Sequence, residues 1–371
     1  MKTKTGRNLT WRDRVSDIAR ATRSFGHLLA LGMGLLIAAA AAHAAIPAAE
    51  RQVLLNLYSS TNGLGWTDST GWNGAAGTEC TWFGVTCDAG SSQLVAIELS
   101  LNRLSGTLPV LGNLSQLQTF DVSDNALTGS IPSLTGLTNL KYFIAFGNLL
   151  SGPIPPLTGL TNLNDFAAFT NLLSGPIPTL NGLTSLQFFQ VGGNQLTGSI
   201  PTLSGLTSLR GFFAGSNQLT GSIPPLSGLT SLSNFTVPNN QLTGPIPALG
   251  GTNLITFDAH NNALSGPIPL LTGLTNLEFF SVYYNGLTGP IPALTGLTNL
   301  KEIQVGLTSL TGPVPDPPSP NNLVPGMSML CPNALAFASS GATQRAWDIA
   351  TGVTPWYSTC SSDEIFLDGF E

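Results

Sequence analysis

Residues 277–289 read LEFFSVYYNGLTG, and the spacing inside that stretch recurs along most of the 371-residue chain. Leu277, Phe280, Val282, Asn285 and Leu287 follow the pattern LxxFxVxxNxL, with Gly289, Ile291 and Pro292 behind them. The asparagine alone displays the period. Asn102, Asn125, Asn148, Asn171, Asn194, Asn217 and Asn240 stand 23 residues apart, Asn262 comes after 22, and Asn285 after another 23. A tenth copy carries Thr308 in the asparagine place. Self-similarity at a fixed period in the twenties means stacked copies of one small unit, none able to bury its apolar side alone. The expected architecture is a solenoid.

Within each unit the LxxFxV segment reads as a short strand with alternate side chains turned inward. Leu117, Phe120 and Val122 fill one rung, and Leu140, Phe143 and Ala145 the next. Phe120, Phe143, Phe166, Phe189, Phe212, Phe235, Phe257 and Phe280 should then form an internal spine, each worth roughly 2–3 kcal/mol of burial. The asparagine amide suits the tight turn leaving each strand, where backbone groups would otherwise be buried unpaired. Leu242, Gly244, Ile246 and Pro247 show the LxGxIP continuation; proline fixes φ and removes a donor. The back of each coil should therefore be irregular or a short second strand followed by 3₁₀ turns, without long helices. One repeat is short: ALGGTNL at 248–254 lacks the leucine that others supply at Leu229 or Leu274. That loss should pinch the return limb just before the strand carrying Asp258 and His260.

Ahead of the repeats, Pro47–Ser60 looks helical, with Val53, Leu54, Leu57 and Tyr58 on one apolar face. A turn-rich aromatic stretch and CTWFGVTCD follow. Cys80, Trp82, Gly84, Val85 and Cys87 match in full the C-x-W-x-G-V-x-C hallmark of the N-terminal cap of plant-type leucine-rich repeat proteins. Together with LxxLxLxxNxLxGxIP repeats, the chain over about 50–312 resembles that family, and LLNLYSSTNGLGWTDSTGW resembles the version in secreted microbial members. The resemblance implies a leucine-rich repeat solenoid, a mainly β right-handed superhelix or horseshoe with a short 3₁₀ or irregular convex side and a helical N-terminal cap. The unit is one residue shorter than the usual plant form.

Export is written at the N-terminus. A basic leader runs to Arg23, an apolar run spans His27–Ala42, and Ala42-His43-Ala44 has the form of a cleavage site, so residues 1–44 read as a signal peptide. The apolar core is short and alanine-rich for a membrane span, and the mature chain should hold no transmembrane segment. Seven of the 13 basic residues and two of the 19 acidic ones precede residue 45, leaving six basic against 17 acidic, a net of about −11. That balance argues against nucleic acid and anionic membrane as partners. The four cysteines of the exported part form two local pairs, Cys80 with Cys87 and Cys331 with Cys360, each beside one end of the array. They read as disulfides of two caps. No zinc-like spacing accompanies them, and neither a metal nor a cofactor is expected.

The expected organisation is an N-terminal cap at 45–93, ten repeats at 94–312, a C-terminal cap at 313–360 entered through the proline-rich PVPDPPSPNN, and an acidic tail at 361–371. A short helix around Thr343–Ala350, with Trp347 and Trp356 as packing anchors, belongs to the second cap. The tail SSDEIFLDGFE resembles those that end many exported proteins of Gram-negative bacteria, which implies a secreted or cell-surface location.

Strand residues between the core positions face the concave side, and there an aromatic set emerges. Tyr142, Phe146, Phe169, Phe188, Phe213, Asp258, His260, Phe279, Tyr283 and Tyr284 are the candidate ligand-binding residues. Exposed rings in a row offer large contact area at low entropic cost. Neighbouring strands lie about 4.8 Å apart, so Phe146 and Phe169 should touch. Ser281, His260 and Asp258 share this face, but Ser281 neighbours the aspartate rather than the imidazole, and no nucleophile elbow or oxyanion donors accompany it. The expectation is a non-catalytic extracellular recognition protein that binds a protein or peptide. The alternative is a cell-surface adhesive or structural protein that binds polysaccharide. Inhibition of a secreted polysaccharide-degrading enzyme is implied only by resemblance to plant inhibitors with the same repeat.

Overall fold

The computed structural model describes residues 46–336 and 340–360; the leader, its cleavage site and the acidic tail lie outside the described residues. Each repeat contributes one strand to a single eleven-stranded sheet whose spatial order is the chain order. Val85–Cys87 runs antiparallel to Leu94–Glu98. Nine more strands then follow in parallel: Thr119–Asp121, Tyr142–Ile144, Asp165–Ala167, Phe188–Gln190, Gly211–Phe213, Asn234–Thr236, Thr256–Asp258, Phe279–Ser281 and Glu302–Gln304. A coil that returns to its starting edge after every unit can only lay its strands parallel. The protein is a leucine-rich repeat solenoid.

The phenylalanines are in register from strand to strand, as Phe120 opposite Phe143 and Phe257 opposite Phe280. Their rings stack as one column, with neighbouring centroids 5.2–5.8 Å apart and planes within 12–19°. Ile97 and Ile303 close the column at its two ends. All eight rings are fully buried, so each forfeits water contact on both faces.

The turn after each strand has a fixed conformation. Residues 101, 124, 147, 170, 193, 216, 239, 261, 284 and 307, each just before the asparagine position, all have φ between 52° and 64°. This left-handed residue folds the chain so that the next side chain points inward. The asparagine then ties two coils together. Asn148 Nδ2 donates to Val122 O of the preceding coil (3.0 Å) and to Ala145 O of its own (3.2 Å), and its Oδ1 accepts from Leu127 N (2.9 Å). Asn171, Asn194, Asn217, Asn240 and Asn285 repeat this arrangement.

Beyond the turn, short strands such as Ala126–Thr128, Leu172–Pro176 and Gly286–Gly289 pair into a second, broken row of two, three and five strands. The return limb then makes successive turns, Leu160 N donating to Leu157 O (3.2 Å) and Leu163 N to Leu160 O (2.9 Å). Among the described residues these i→i+3 turns do not extend into 3₁₀ helices, so the convex side is the irregular one expected, with short second strands. Among the described residues the 3₁₀ helices are Gly63–Gly65, Glu79–Thr81 and Trp356–Thr359, all in the caps. The glycine of each GLT return, Gly159 at φ 90° for one, breaks any helical run after a single turn.

The short repeat is accommodated in the same limb. Thr252 Oγ1 donates to Leu249 O (2.7 Å) and Asn253 N to Leu232 O of the preceding coil (3.1 Å). The following strand keeps register with both neighbours.

At the N-terminal end, helix Ala48–Ser60 buries Val53, Leu54 and Leu57 against the first coil. Buried Glu50 accepts from Leu94 N (2.7 Å), and desolvation raises its carboxyl pKa. Tyr58, Trp66, Trp72 and Trp82 pack together, Arg51 lies over Trp82 and pairs with buried Glu79, and Cys80 is bonded to Cys87. Asn102 starts the asparagine column by exchanging hydrogen bonds with the backbone of Asp68.

At the other end an expectation is corrected. The proline-rich segment does not end the pattern. Leu323 is buried, Val324 N donates to Lys301 O, and Met329 bridges to Gln304. Asn333 then takes the asparagine place, its Nδ2 donating to Val305 O and Leu330 O. Strand Ala334–Ala336 pairs with Ser309–Pro313. An eleventh, partial coil therefore covers the tenth. Helix Gly341–Thr351 closes over it with Trp347 and Trp356 buried, and Cys331 is bonded to Cys360. Proline blocks a strand ladder but not a return limb, which needs no regular donors.

Candidate binding face

The strand residues opposite the phenylalanine column form three rows on the outer face of the sheet. One row carries Tyr142, Asp165, Phe188, Gly211, Asn234, Thr256 and Phe279 side by side. The next carries Ile144, Ala167, Gln190, Phe213, Thr236, Asp258 and Ser281 on the same strands. The third, two residues further along, carries Phe146, Phe169, Gly192, Gly215, Pro238, His260 and Tyr283.

In that third row the rings come in two pairs. Phe146 and Phe169 stack at 4.4 Å with planes 6° apart, and His260 and Tyr283 at 4.6 Å with planes 9° apart. Centroid distances close to the strand spacing mean that the ring normals run along the solenoid axis. His260 is held further by Asp258, whose Oδ1 lies 2.7 Å from Nδ1 and accepts from His260 N (3.3 Å). Burial and the neighbouring Asp258 carboxylate raise the pKa of the Tyr283 hydroxyl.

The candidate residues differ in exposure, which corrects the expectation of a uniformly exposed aromatic row. Tyr142 and Tyr284 are open to solvent, at 40% and 57%. Phe146, Phe188, His260, Phe279 and Tyr283 are half-buried. Phe169 and Phe213 are buried, at 8% and 4%, and so is Asp258. Phe213 folds down over Gly211, whose missing side chain leaves room for the ring; a Cβ there would sit 2.3 Å from Phe213 Cε2. Tyr284 belongs to none of the three rows. It is the left-handed residue of its turn, at φ 54°.

Several residues outside the sequence-derived set matter on this face. Asp165 is buried beside Gln190, whose Nε2 donates to its carboxylate at 3.2 and 3.4 Å; burial nevertheless pushes its pKa up to about 7. Gln190 Oε1 and Thr236 Oγ1, on side chains only 2% and 7% exposed, lack a hydrogen-bond partner. Between the ring pairs lie Gly192, Gly215 and Pro238, a run of small residues visible once the third row is read down its column. Ser281 Oγ donates to Gln304 Oε1 (3.4 Å), so its partner is the next strand rather than His260. Among the described residues no His, Cys, Asp and Glu converge as a metal site, and no helix is long and apolar enough to cross a membrane.

Comparison with known proteins matches the N-terminal cap and one coil. The leucine rich repeat N-terminal domain family matches residues 47–88, and the Leucine Rich Repeat family matches 116–137. No curated protein sequence matches the chain. The chain is similar to the ectodomain of the Arabidopsis thaliana receptor kinase GASSHO1/SCHENGEN3, solved with CASPARIAN STRIP INTEGRITY FACTOR 2, at 31% identity and TM-score 0.70. That match covers 77% of this chain and 36% of the ectodomain. The ectodomain of the Arabidopsis receptor kinase HAESA, solved with an IDA peptide hormone, is 28% identical at TM-score 0.59, with 77% of this chain and 50% of that one covered. This chain thus spans half or less of the length of these two ectodomains. A plant ice-binding protein shares the fold at 22% identity and TM-score 0.60, with 80% and 99% covered.

Proposed function

We propose that this protein is an extracellular, non-catalytic recognition protein that binds a protein or peptide across the concave β face. The observation that carries the reading is the pair of stacked ring sets, Phe146–Phe169 and His260–Tyr283, on the outer face of one sheet. Such anchors contribute contact area without losing much conformational freedom. The receptor ectodomains that share the fold were solved with a peptide hormone or integrity factor bound, which supports the same class of ligand. Two disulfides beside the ends of the solenoid suit an oxidising, exported setting.

The test is affinity capture with the exported chain, followed by the double variant Phe169→Ala with Tyr283→Ala. Captured partners should bind the variant at least tenfold more weakly, since each lost ring contact is worth roughly 1 kcal/mol or more. Unchanged affinity for every captured partner would sink the proposal. A glycan array that lights up while protein capture stays empty would shift the reading to a polysaccharide-binding surface component.

A further inference from the structure

The C-terminal cap leaves an apolar patch open. Val324, Met327, Met329 and Ile349 are 43%, 37%, 39% and 60% exposed. Backbone hydrogen bonds hold the two segments that carry them side by side. Gly326 N donates to Ile349 O (3.1 Å) and Ser328 N to Ala350 O (3.0 Å). The end of a solenoid is normally kept soluble by a polar outer face, and here a valine, an isoleucine and two methionines stand on it instead. A contiguous apolar patch marks a seat for another apolar surface, and unbranched methionine adapts its shape to what arrives.

Charge beside the patch favours an acidic occupant. Arg345 lies one turn before Ile349 on the exposed face of helix Gly341–Thr351, and among the described residues it has no ion-pair partner. The other charged groups near the patch are engaged. Asp348 Oδ1 accepts from Trp356 N (2.7 Å), and Asp316 accepts from the Thr343 hydroxyl. Lys301, whose backbone oxygen accepts from Val324 N, is paired with Glu278.

An occupant of that chemistry is tethered beside the patch. The bond from Trp356 to Asp348 brings the chain along the helix, and Cys360 is then bonded to Cys331, two residues after Met329. Residues 361–371, outside the described residues, read SSDEIFLDGFE. They set Ile365, Phe366, Leu367 and Phe370 among Asp363, Glu364, Asp368 and Glu371, with no basic residue. Ile365 is five residues beyond Cys360, an extended reach of at most about 17 Å. The apolar run can therefore arrive at the patch without any rearrangement of the cap.

We propose that this patch is the seat of the chain's own acidic tail, with Ile365, Phe366 and Leu367 against Met327, Met329 and Ile349, and with Asp363 and Glu364 facing Arg345. The tail then acts as a strap over the eleventh coil, whatever the concave face binds.

Peroxide oxidation tests the contact, because an accessible thioether is converted to its sulfoxide. Met327 and Met329 are the only methionines after residue 45, so mass spectrometry of the exported chain reads this patch alone. Both should oxidise at least about fivefold more slowly in the parent than in the double variant Phe366→Ser with Leu367→Ser. A chain ending at Cys360 should match the double variant, and Arg345→Glu should oxidise at a rate between that of the parent and that of the double variant. Rates in the double variant or in Arg345→Glu equal to the parent's overturn the proposal. So does protection that survives in the chain ending at Cys360 and disappears on dilution, since a second copy would then be the cover.

Discussion

At Tyr284 the backbone carries a cost that Asn261, its counterpart on the preceding coil, largely avoids. Ten equivalent positions share the left-handed conformation, and glycine or asparagine fills four of them: Gly147, Gly193, Asn239 and Asn261. For a bulky side chain this conformation costs roughly 1–2 kcal/mol, and Tyr284 is 57% exposed, so burial does not offset it. Tyr284→Asn should therefore stabilise the protein by about 1 kcal/mol, read as a higher urea midpoint at constant m. A lower midpoint would mean that the ring makes contacts that outweigh the strain. Asp165 supplies a second test. Its folded pKa, pushed up to about 7, lies above the ordinary aspartate value near 3.9. The folded state thus holds a proton that the unfolded state has lost. Stability from this group should fall as pH rises from about 4 to 7, by at most roughly 1.4 kcal/mol per unit. Asp165→Asn cannot titrate, so urea midpoints compared at pH 5 and pH 7.5 should fall less in the variant than in the parent. Equal slopes would place the carboxyl in an ordinary environment.

At the scale of one coil, strand, left-handed turn and asparagine act as a unit. Asn217 satisfies Leu196 N on one coil and accepts its place by donating to Val191 O and Ala214 O. Asn217→Ala strands these groups inside the stack, and the expected loss is about 2–4 kcal/mol, since more than one buried group is left unpaired. A loss below 1 kcal/mol in equilibrium unfolding would show that water or a neighbouring coil replaces the amide. The strand, its inward residues and the asparagine were all legible as a pattern of spacing. The left-handed residue was not, because glycine, serine, aspartate, threonine, leucine and tyrosine all occupy it and leave no common letter. The missing residue of the short repeat was legible too. Its outcome was a rearranged return limb with the strand register intact, because the hydrogen bonds of the sheet are more numerous than those of the limb.

Over the whole molecule, stability is a sum of coils and the interfaces between them, and the two end coils need covers. Residues 323–336 cover the tenth coil by pairing with Gln304 and Ser309–Pro313. Removing residues 323–371 should expose Ile303 and Leu310 and free Val305 N and Gly306 N, which now donate to Met329 O. Hydrogen exchange at those two amides should accelerate by at least a hundredfold while amides of the central strands change little. Uniform acceleration along the chain would instead indicate one cooperative unit. The sequence by itself determined the coil, its period, the inward spine and the asparagine column, because those depend on nearest-neighbour packing that every repeat must solve alike. Only the tertiary structure decided which outer residues are exposed, that Phe213 lies down over Gly211, and that the proline-rich exit forms an eleventh coil. Those outcomes depend on what stands one coil away, and the period of the sequence carries no record of that.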